Sequence, residues 1–480
     1  MSSTTMPLAA TAGDAFAAEL RDTLGPGALL HGEAAGPHLV DVLGYTGRAA
    51  AVVLPRDTAE VAAVLGAASR HGVRLVPQGN RTGLVGGALP DGSGRQVALS
   101  LSRMRRLREL DPLNRSATVE AGMALSELNR TAAAHRLQLP VDLGSDPSIG
   151  GLIGANAGGS RLLKYGDTRR NVLGLEVVVP DAHGGPGRVL DLLRPLRKNN
   201  AGVDLKQLFI GTGGAFGVIT AASVALQRAE QSTDTTFIAL PDYAAASRVL
   251  DAFEQDFGDL LCAFEVMSSA SLEAVTEAFP ALRHPLPAPF AQCYALVEVA
   301  SAMPGLDSLL AERRDALLAR LHADGLVLDA APGHTEAFWR LRDALPEAIA
   351  RQGAVLSFDV SFPRSRLAAF REHVVDWLRR AHPLLRVYDF GHFGDGGCHL
   401  VVSIPSAHAA AYGIAKTVQL RGALYELAAR HDGCFSAEHG VGPLNAAFYR
   451  KHVDAAAQAL AAGLQTATDP LAVLGRFRYG

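Results

Sequence analysis

Residues 77–87 read Pro-Gln-Gly-Asn-Arg-Thr-Gly-Leu-Val-Gly-Gly, and residues 149–159 read Ile-Gly-Gly-Leu-Ile-Gly-Ala-Asn-Ala-Gly-Gly. Glycine lets a backbone turn through positive φ and approach a ligand closely, so successive N–H groups can line an anion-binding nest. Two such runs, about 70 residues apart and each following an α/β stretch, suit the two ends of one long phosphate-bearing cofactor. A third cluster, IGTGGAFGVIT at 210–220, puts Phe216 where a G-x-G-x-x-G fingerprint needs its last glycine, and no Walker sequence occurs. An ordinary Rossmann or P-loop nucleotide site is therefore not expected.

Working outward from these runs, Val52 to Pro55 reads as a strand, followed by Asp57 and Glu60 at capping-box spacing and by Val61, Val64, Leu65 and Ala68 at helical spacing. Gly72 is placed to end that helix, and Val73 to Val76 is the strand that runs into the first loop. Further strands are expected at 97–101, 116–120 and 173–179, with a helix at 124–136 and a hairpin through HGGPG at 183–187. From about 233 glycine thins out, and strand-like runs at 236–240, 263–267, 294–299 and 354–360 alternate with amphipathic helices such as 306–323. That pattern predicts a second domain with an antiparallel sheet backed by helices. Near the C-terminus come a short hairpin at 387–403, a long helix near 411–430, a glycine-containing loop and a terminal helix.

A chain of 480 residues with 48% apolar side chains is long enough for two or three domains with full cores. The formal net charge of −3 gives no electrostatic footprint for nucleic acid, which argues against nucleic-acid partners. The excess of Arg over Lys is read as compositional bias. Four cysteines without a Cys-x-x-Cys pair point to a reducing compartment. There is no basic residue before Arg21 and no apolar run of about 20 residues, so neither a signal peptide nor a membrane span is expected, and the localisation read is cytoplasmic.

The last segment carries a different chemistry. His392 and His399 flank Phe-Gly-Asp-Gly-Gly-Cys, and a hairpin there brings the two imidazoles to the same end of neighbouring strands. Glu438 and His439 adjoin in Ser-Ala-Glu-His-Gly-Val-Gly at 436–442. Two His and one Glu make a three-ligand set for Zn²⁺ or a similar divalent ion, with positions left for substrate. Asp395 fits a Gly-Asp-Gly turn better than a ligand, and Cys398 and Cys434 fit packing better than soft-metal binding.

Together these motifs resemble the FAD-linked D-2-hydroxy-acid dehydrogenase family, whose members act on D-2-hydroxyglutarate or D-lactate and share the vanillyl-alcohol oxidase type of flavoprotein fold. The resemblance is carried by PQGNRTGLVGG, VEAG at 119–122, IGGLIGANAGG followed by KYGD, NVLGLEVVV at 171–179, DLKQLFIGTGGAFGVIT at 204–220, His-x-Gly-Asp-Gly-x-x-His and Glu-His-Gly-x-Gly, and it spans roughly residues 45–445. It departs at 212–217, where Thr-Gly-Gly-Ala-Phe-Gly replaces the family's frequent Ser-Glu-Gly-Thr-Leu-Gly.

The resemblance implies an α+β fold: a two-subdomain FAD-binding domain plus a cap domain with an antiparallel sheet and helices. The expected divisions are an N-terminal helical segment at 1–45, the FAD domain at 46–230, a substrate or cap domain at 231–386, and a metal-site segment at 387–480 that packs back on the FAD domain. It also implies that the 77–87 loop, with Pro77, Gly79, Asn80, Arg81, Thr82, Gly83, Leu84 and Gly86, and the 149–159 loop, with Ile149, Gly150 and Gly151, cradle the FAD pyrophosphate. Asn156 and Gly159 belong near the flavin and Ile219 near the adenine side, and Gly144, Ser145, Ala157, Tyr165, Gly166 and Gly217 are further implied cofactor-binding residues. Neither loop contains His or Cys, the usual covalent tethers, so the FAD is expected to be non-covalent. His392, His399 and Glu438 are the implied metal ligands, His439 the general base, and Arg342 in FWRLRDALPEA the arginine for the substrate carboxylate.

The expected reaction is metal-assisted oxidation of a D-2-hydroxy acid to the 2-oxo acid, with hydride passing to flavin N5 and electrons to an external acceptor: an electron-transfer flavoprotein, a quinone or a cytochrome. Relatives that act on 2-hydroxyglutarate carry a Thr, a Lys and two Asn where this chain has Pro346, Ser357, Gly397 and Val401, which shifts the expected substrate toward lactate or a longer monocarboxylic relative. Arg476 or Arg478 in the tail could replace the missing charge. The alternatives are an oxidase that uses O₂, a relative acting on alcohols without a metal, and a flavin-binding protein with a degraded catalytic site. A homodimer is compatible with the sequence.

Overall fold

The computed structural model describes residues 10–286, 291–333 and 335–480, so residues 1–9 of the expected N-terminal segment lie outside the described residues. The chain divides into two compact units. Of the described residues, one comprises 10–157, 167–228 and 438–480, and the other 158–166, 229–286, 291–333 and 335–437.

In the first unit, Asp57 caps the helix Thr58–His71 by accepting from the Glu60 amide at 2.9 Å, while Glu60 reaches back to the Arg56 amide at 2.8 Å. A cap of this kind contributes about 1 kcal/mol. The helix buries Val61, Val64, Leu65 and Ala68 and ends at Gly72, in the left-handed region at φ 64°. It packs against the helix Ala10–Leu24, which buries Phe16 and Leu20.

A four-stranded sheet runs in the order Leu29–Leu30, Ala51–Val53, Val97–Ser100, Leu75–Gln78, its last three strands parallel. Parallel pairing requires a crossover, which Thr58–His71 supplies between Ala51–Val53 and Leu75–Gln78. A five-stranded antiparallel sheet follows in the order Leu107–Asp111, Ser116–Glu120, Val218–Ala225, Val172–Val179, Arg188–Leu192. The strand Val218–Ala225 is buried along its whole length. The chain's end returns to this unit: the Leu75 amide donates to the Val473 carbonyl at 2.7 Å, and the Gly475 amide to the Leu75 carbonyl at 2.9 Å.

The second unit is a seven-stranded antiparallel sheet. Its order is Asp329–Pro332, Ser232–Leu240, Cys293–Ser301, Leu261–Ser268, Arg386–Gly391, Gly397–Ile404, Ala354–Ser361. Helices Ser269–Ala278, Thr335–Asp343 and Leu345–Ala350 cover one core, which holds Phe237, Tyr294, Phe338, Leu341 and Val401. The expected antiparallel second domain and the hairpin at 387–403 are both present, and the fold class is the expected α+β one.

The boundaries fall differently from those read in the sequence. Residues 387–437 stay in the second unit because their two strands hydrogen-bond into its sheet, and only 438–480 return to the first. Residues 158–166 leave the first unit for the second. A second difference concerns 149–155, read as part of a loop. These residues form the helix Ile149–Ala155, capped by Ser148 Oγ, which accepts from the Gly151 amide at 3.2 Å. Leu152 and Ile153 bury their side chains, and that burial outweighs the low helix propensity of the surrounding glycines.

Candidate active site

The three glycine clusters meet within the first unit. Asn80 Nδ2 donates to the Asp146 carbonyl at 2.9 Å, and Gly79 packs so closely on the cap residue that an added Cβ would lie 2.0 Å from Ser148 Oγ. The third cluster closes on the second: the Gly211 amide donates to the Ile153 carbonyl at 3.0 Å and the Gly213 amide to the Gly154 carbonyl at 2.8 Å. Gly214 lies against Pro77. Gly83 and Gly144, by contrast, have no atom within 4 Å of a built Cβ, so their backbones border open space. Gly86 turns through φ 69° beside Pro443 and Leu444.

Several expected cofactor residues carry structural duties here. Arg81 takes φ 58°, and its Nε donates to the Val40 carbonyl. Asn156 ends its helix in the left-handed region, and its side chain spans the two ends of the 158–166 excursion. Its Nδ2 donates to Asp167 Oδ2 at 2.8 Å, and its Oδ1 accepts from the Arg169 amide at 2.9 Å. The Ala157 carbonyl accepts from both the amide and the hydroxyl of Thr168. Gly150 faces Ala121, and Gly217 faces Val177 and Phe209, so both glycines make room for neighbouring side chains. Ile219 is buried opposite Val177 in the five-stranded sheet.

In the second unit Tyr165 donates to Glu230 Oε1, and its phenol is pushed up by burial and by that carboxylate. Gly166, at φ 72°, closes the short helix Leu162–Tyr165. Thr82, Leu84, Ser145, Ile149, Gly151 and Gly159 lie in or beside the same glycine-rich segments.

The hairpin delivers its two histidines as expected. His392 follows the strand Arg386–Gly391, His399 lies in Gly397–Ile404, and their ring centroids are 5.2 Å apart. Gly391, at φ 122°, has no alternative, since a Cβ there would lie 2.9 Å from His399 Cδ2. Asp395 makes the expected turn by accepting from the Gly397 amide at 2.8 Å. Asp359 sits opposite His399 in register, with its Oδ1 3.8 Å from His399 Nδ1. The Ala437 amide donates to the Asp359 carbonyl at 3.2 Å, and Glu438 and His439 are the next residues along the chain. Cys398 is buried and Cys434 exposed.

A profile described as "FAD binding domain" matches residues 49–183, and one described as "FAD linked oxidases, C-terminal domain" matches residues 229–477. The mitochondrial D-2-hydroxyglutarate dehydrogenase of Arabidopsis thaliana is 33% identical over 443 residues, covering 90% of this chain and 75% of its own. The mitochondrial D-2-hydroxyglutarate dehydrogenase of Bos taurus is 34% identical over 403 residues, covering 82% of this chain and 70% of its own. The D-2-hydroxyglutarate dehydrogenase of Xanthomonas citri pv. viticola is 33% identical over 431 residues, covering 89% and 88%. This chain belongs to the FAD-linked D-2-hydroxy-acid dehydrogenase family. Two solved structures of alkyldihydroxyacetonephosphate synthase share its fold, with TM-scores of 0.69 and 0.70 at 17% and 16% identity. They cover 95% of this chain and 83% and 85% of their own.

This dehydrogenase holds Arg342 in a way the sequence did not reveal. From the helix Thr335–Asp343, Arg342 Nε donates to Glu265 Oε2 at 2.7 Å, and the guanidinium stands 5.4 Å from the Phe390 ring centre. Glu265 Oε1 lies 2.8 Å from His392 Nδ1. Burial works to raise the Glu265 carboxyl, but His392 and Arg342 outweigh it and hold the group well below the usual carboxylate range. The available signal was a lone acid in the apolar run CAFEVM, but ALVEVA contains the same pattern and Glu298 pairs elsewhere. The tail arginines are committed within the first unit: Arg476 donates to the Leu89 carbonyl, and Arg478 pairs with Asp469 at 2.9 Å. Among the described residues no helix is long and apolar enough to cross a membrane.

Proposed function

We propose that this dehydrogenase oxidises a monocarboxylic D-2-hydroxy acid, lactate or a longer relative, to the 2-oxo acid. In this reading the first unit holds FAD non-covalently, and His392, His399 and Glu438 hold a divalent cation, with zinc the best match to the donors. The observation that carries the reading is the imidazole pair 5.2 Å apart, with the carboxylates of Glu265 and Asp359 beside it and Arg342 anchored on Glu265. Two imidazoles and a carboxylate form a donor set that leaves positions open for substrate.

The first unit fits FAD because its three glycine clusters interlock while Gly83 and Gly144 border open space where a ligand's backbone contacts can form. When bound, FAD supplies a two-electron acceptor at flavin N5, and the cation supplies Lewis acidity toward the substrate hydroxyl. The chain's own groups do the rest. An imidazole nitrogen of His439 takes the C2 hydroxyl proton, a task for which His has a suitable pKa range. The planar fork of Arg342 holds the C1 carboxylate. Electrons then leave for an external acceptor, an electron-transfer flavoprotein, a quinone or a cytochrome, and the cysteine usage favours a reducing, cytoplasmic setting.

The surroundings of two of the four departures from the family pattern support this substrate class. Val401 is buried in an apolar cluster with Tyr388, Phe390 and Leu341, and Pro346 lies in the first turn of the helix Leu345–Ala350. A second carboxylate placed among such groups would lose its hydration without gaining a partner. The test is anaerobic flavin reduction by D- and L-forms of lactate, 2-hydroxybutyrate and 2-hydroxyglutarate. D-monocarboxylates should bleach the flavin fastest. A preference for D-2-hydroxyglutarate would overturn the substrate class, and no bleaching by any of them would overturn the catalytic reading.

A further inference from the structure

Glu265 lies in the strand Leu261–Ser268 and is 1% exposed. A buried carboxylate is costly unless both oxygens find partners. Here the partners come from two different elements: Arg342 Nε from the helix Thr335–Asp343 on Oε2, and His392 Nδ1, just beyond the strand Arg386–Gly391, on Oε1. A carboxylate beside Nδ1 of an imidazole favours the tautomer protonated on Nδ1, in which Nε2 keeps the lone pair that a cation would use. A guanidinium whose Nε is committed has its plane fixed, so its terminal nitrogens form the fork that meets a carboxylate.

Glu298, in the neighbouring strand Cys293–Ser301, provides the internal contrast. It is equally buried, but its oxygens meet Trp339 Nε1 at 2.8 Å and Arg161 at 3.1 Å, groups with no part in the proposed reaction. Burial of an acid is therefore common to both strands, and the partners distinguish them.

We infer that Glu265 is a positioning residue that sets two groups at once. It fixes His392 in the tautomer whose Nε2 faces the metal, and it holds the Arg342 fork for the substrate carboxylate. The inference rests on the metal and substrate reading above. Glu265→Gln preserves shape but offers one amide donor in place of an acceptor, so either the Arg342 contact becomes repulsive or His392 shifts to the tautomer with its proton on Nε2.

The test titrates zinc into metal-stripped, FAD-loaded wild type, Glu265→Gln and Glu298→Gln, and measures KM and kcat for the best D-2-hydroxy acid. In Glu265→Gln, zinc affinity should fall roughly 10- to 100-fold and KM should rise by more than kcat falls. Glu298→Gln should bind zinc as wild type does. Unchanged zinc affinity and KM in Glu265→Gln overturn the inference while leaving the metal reading intact. A wild type that binds no zinc overturns the metal reading and this inference with it. Should Glu265→Gln not fold, the wild type is read directly by NMR on isotope-labelled histidine without metal. A proton on His392 Nδ1 and a bare Nε2 support the inference, and the opposite tautomer overturns it.

Discussion

In the first unit the groups that meet are glycines and carbonyls. Gly79 presses on Ser148, the Gly211 and Gly213 amides bond the carbonyls of Ile153 and Gly154, and Gly214 rests on Pro77. In the second unit the groups that meet are long side chains from strands and a helix far apart in sequence: Glu265, Arg342, Asp359, His392 and His399. A backbone site needs residues that stay small, and a run of such residues leaves a mark within ten or so positions. A side-chain site needs only one residue from each element, so its members are scattered wherever the sheet order brings them together.

This difference explains what could be read. The capping box at Asp57 and Glu60, the stop at Gly72, the hairpin between His392 and His399 and the turn at Asp395 are all local, and each was legible. Glu265 was not, because it meets His392 only through the pairing of Leu261–Ser268 with Arg386–Gly391, a contact no spacing rule encodes. The helix Ile149–Ala155 is hidden for the opposite reason: its glycines read as a loop, and the buried pair Leu152 and Ile153 is too short to show a helical period. The carboxamide of Asn156, expected near the flavin, also ties together the two ends of an excursion that only the two-unit division reveals.

The contrast can be broken at several points. The largest effect is expected from His439→Ala. Flavin reduction should slow by roughly 10²- to 10⁴-fold while FAD content and zinc binding stay at wild-type levels. Unchanged reduction in a rapid-mixing experiment would remove His439 from the proton-transfer role.

A smaller effect tests the backbone site. Gly79→Ala drives a methyl into Ser148 Oγ, disturbing the cap of Ile149–Ala155 and overpacking its base. Together these should cost about 2–4 kcal/mol of stability and lower the ratio of flavin to protein absorbance. A variant with full flavin content and wild-type melting would show that close approach there is not required.

The smallest effect lies away from both sites. Glu176 accepts from Thr58, Thr220 and Arg108 in the first unit. Burial works to raise its pKa, but the bonds from Arg108, Thr58 and Thr220 outweigh it and hold the carboxyl below its ordinary value. A depressed folded-state pKa means the stabilisation is fully present above the unfolded value of about 4.3 and is lost as pH falls through the folded one. Glu176→Gln should therefore cost about 2 kcal/mol near neutrality and progressively less in acid. Thermal melts of both proteins from pH 7 to pH 3 check this, and a difference independent of pH would contradict it.

In the proposed mechanism flavin retention and flavin reduction depend on different chemistry, the first on interlocked glycines and the second on a cation that His392, His399 and Glu438 would hold. The most direct test strips divalent metal from the holoenzyme with a chelator and mixes it anaerobically with its best D-2-hydroxy acid. FAD should stay bound, reduction should fall at least about 100-fold, and zinc or another divalent ion should restore it. Full-speed reduction in a preparation shown by elemental analysis to contain no metal would contradict the account.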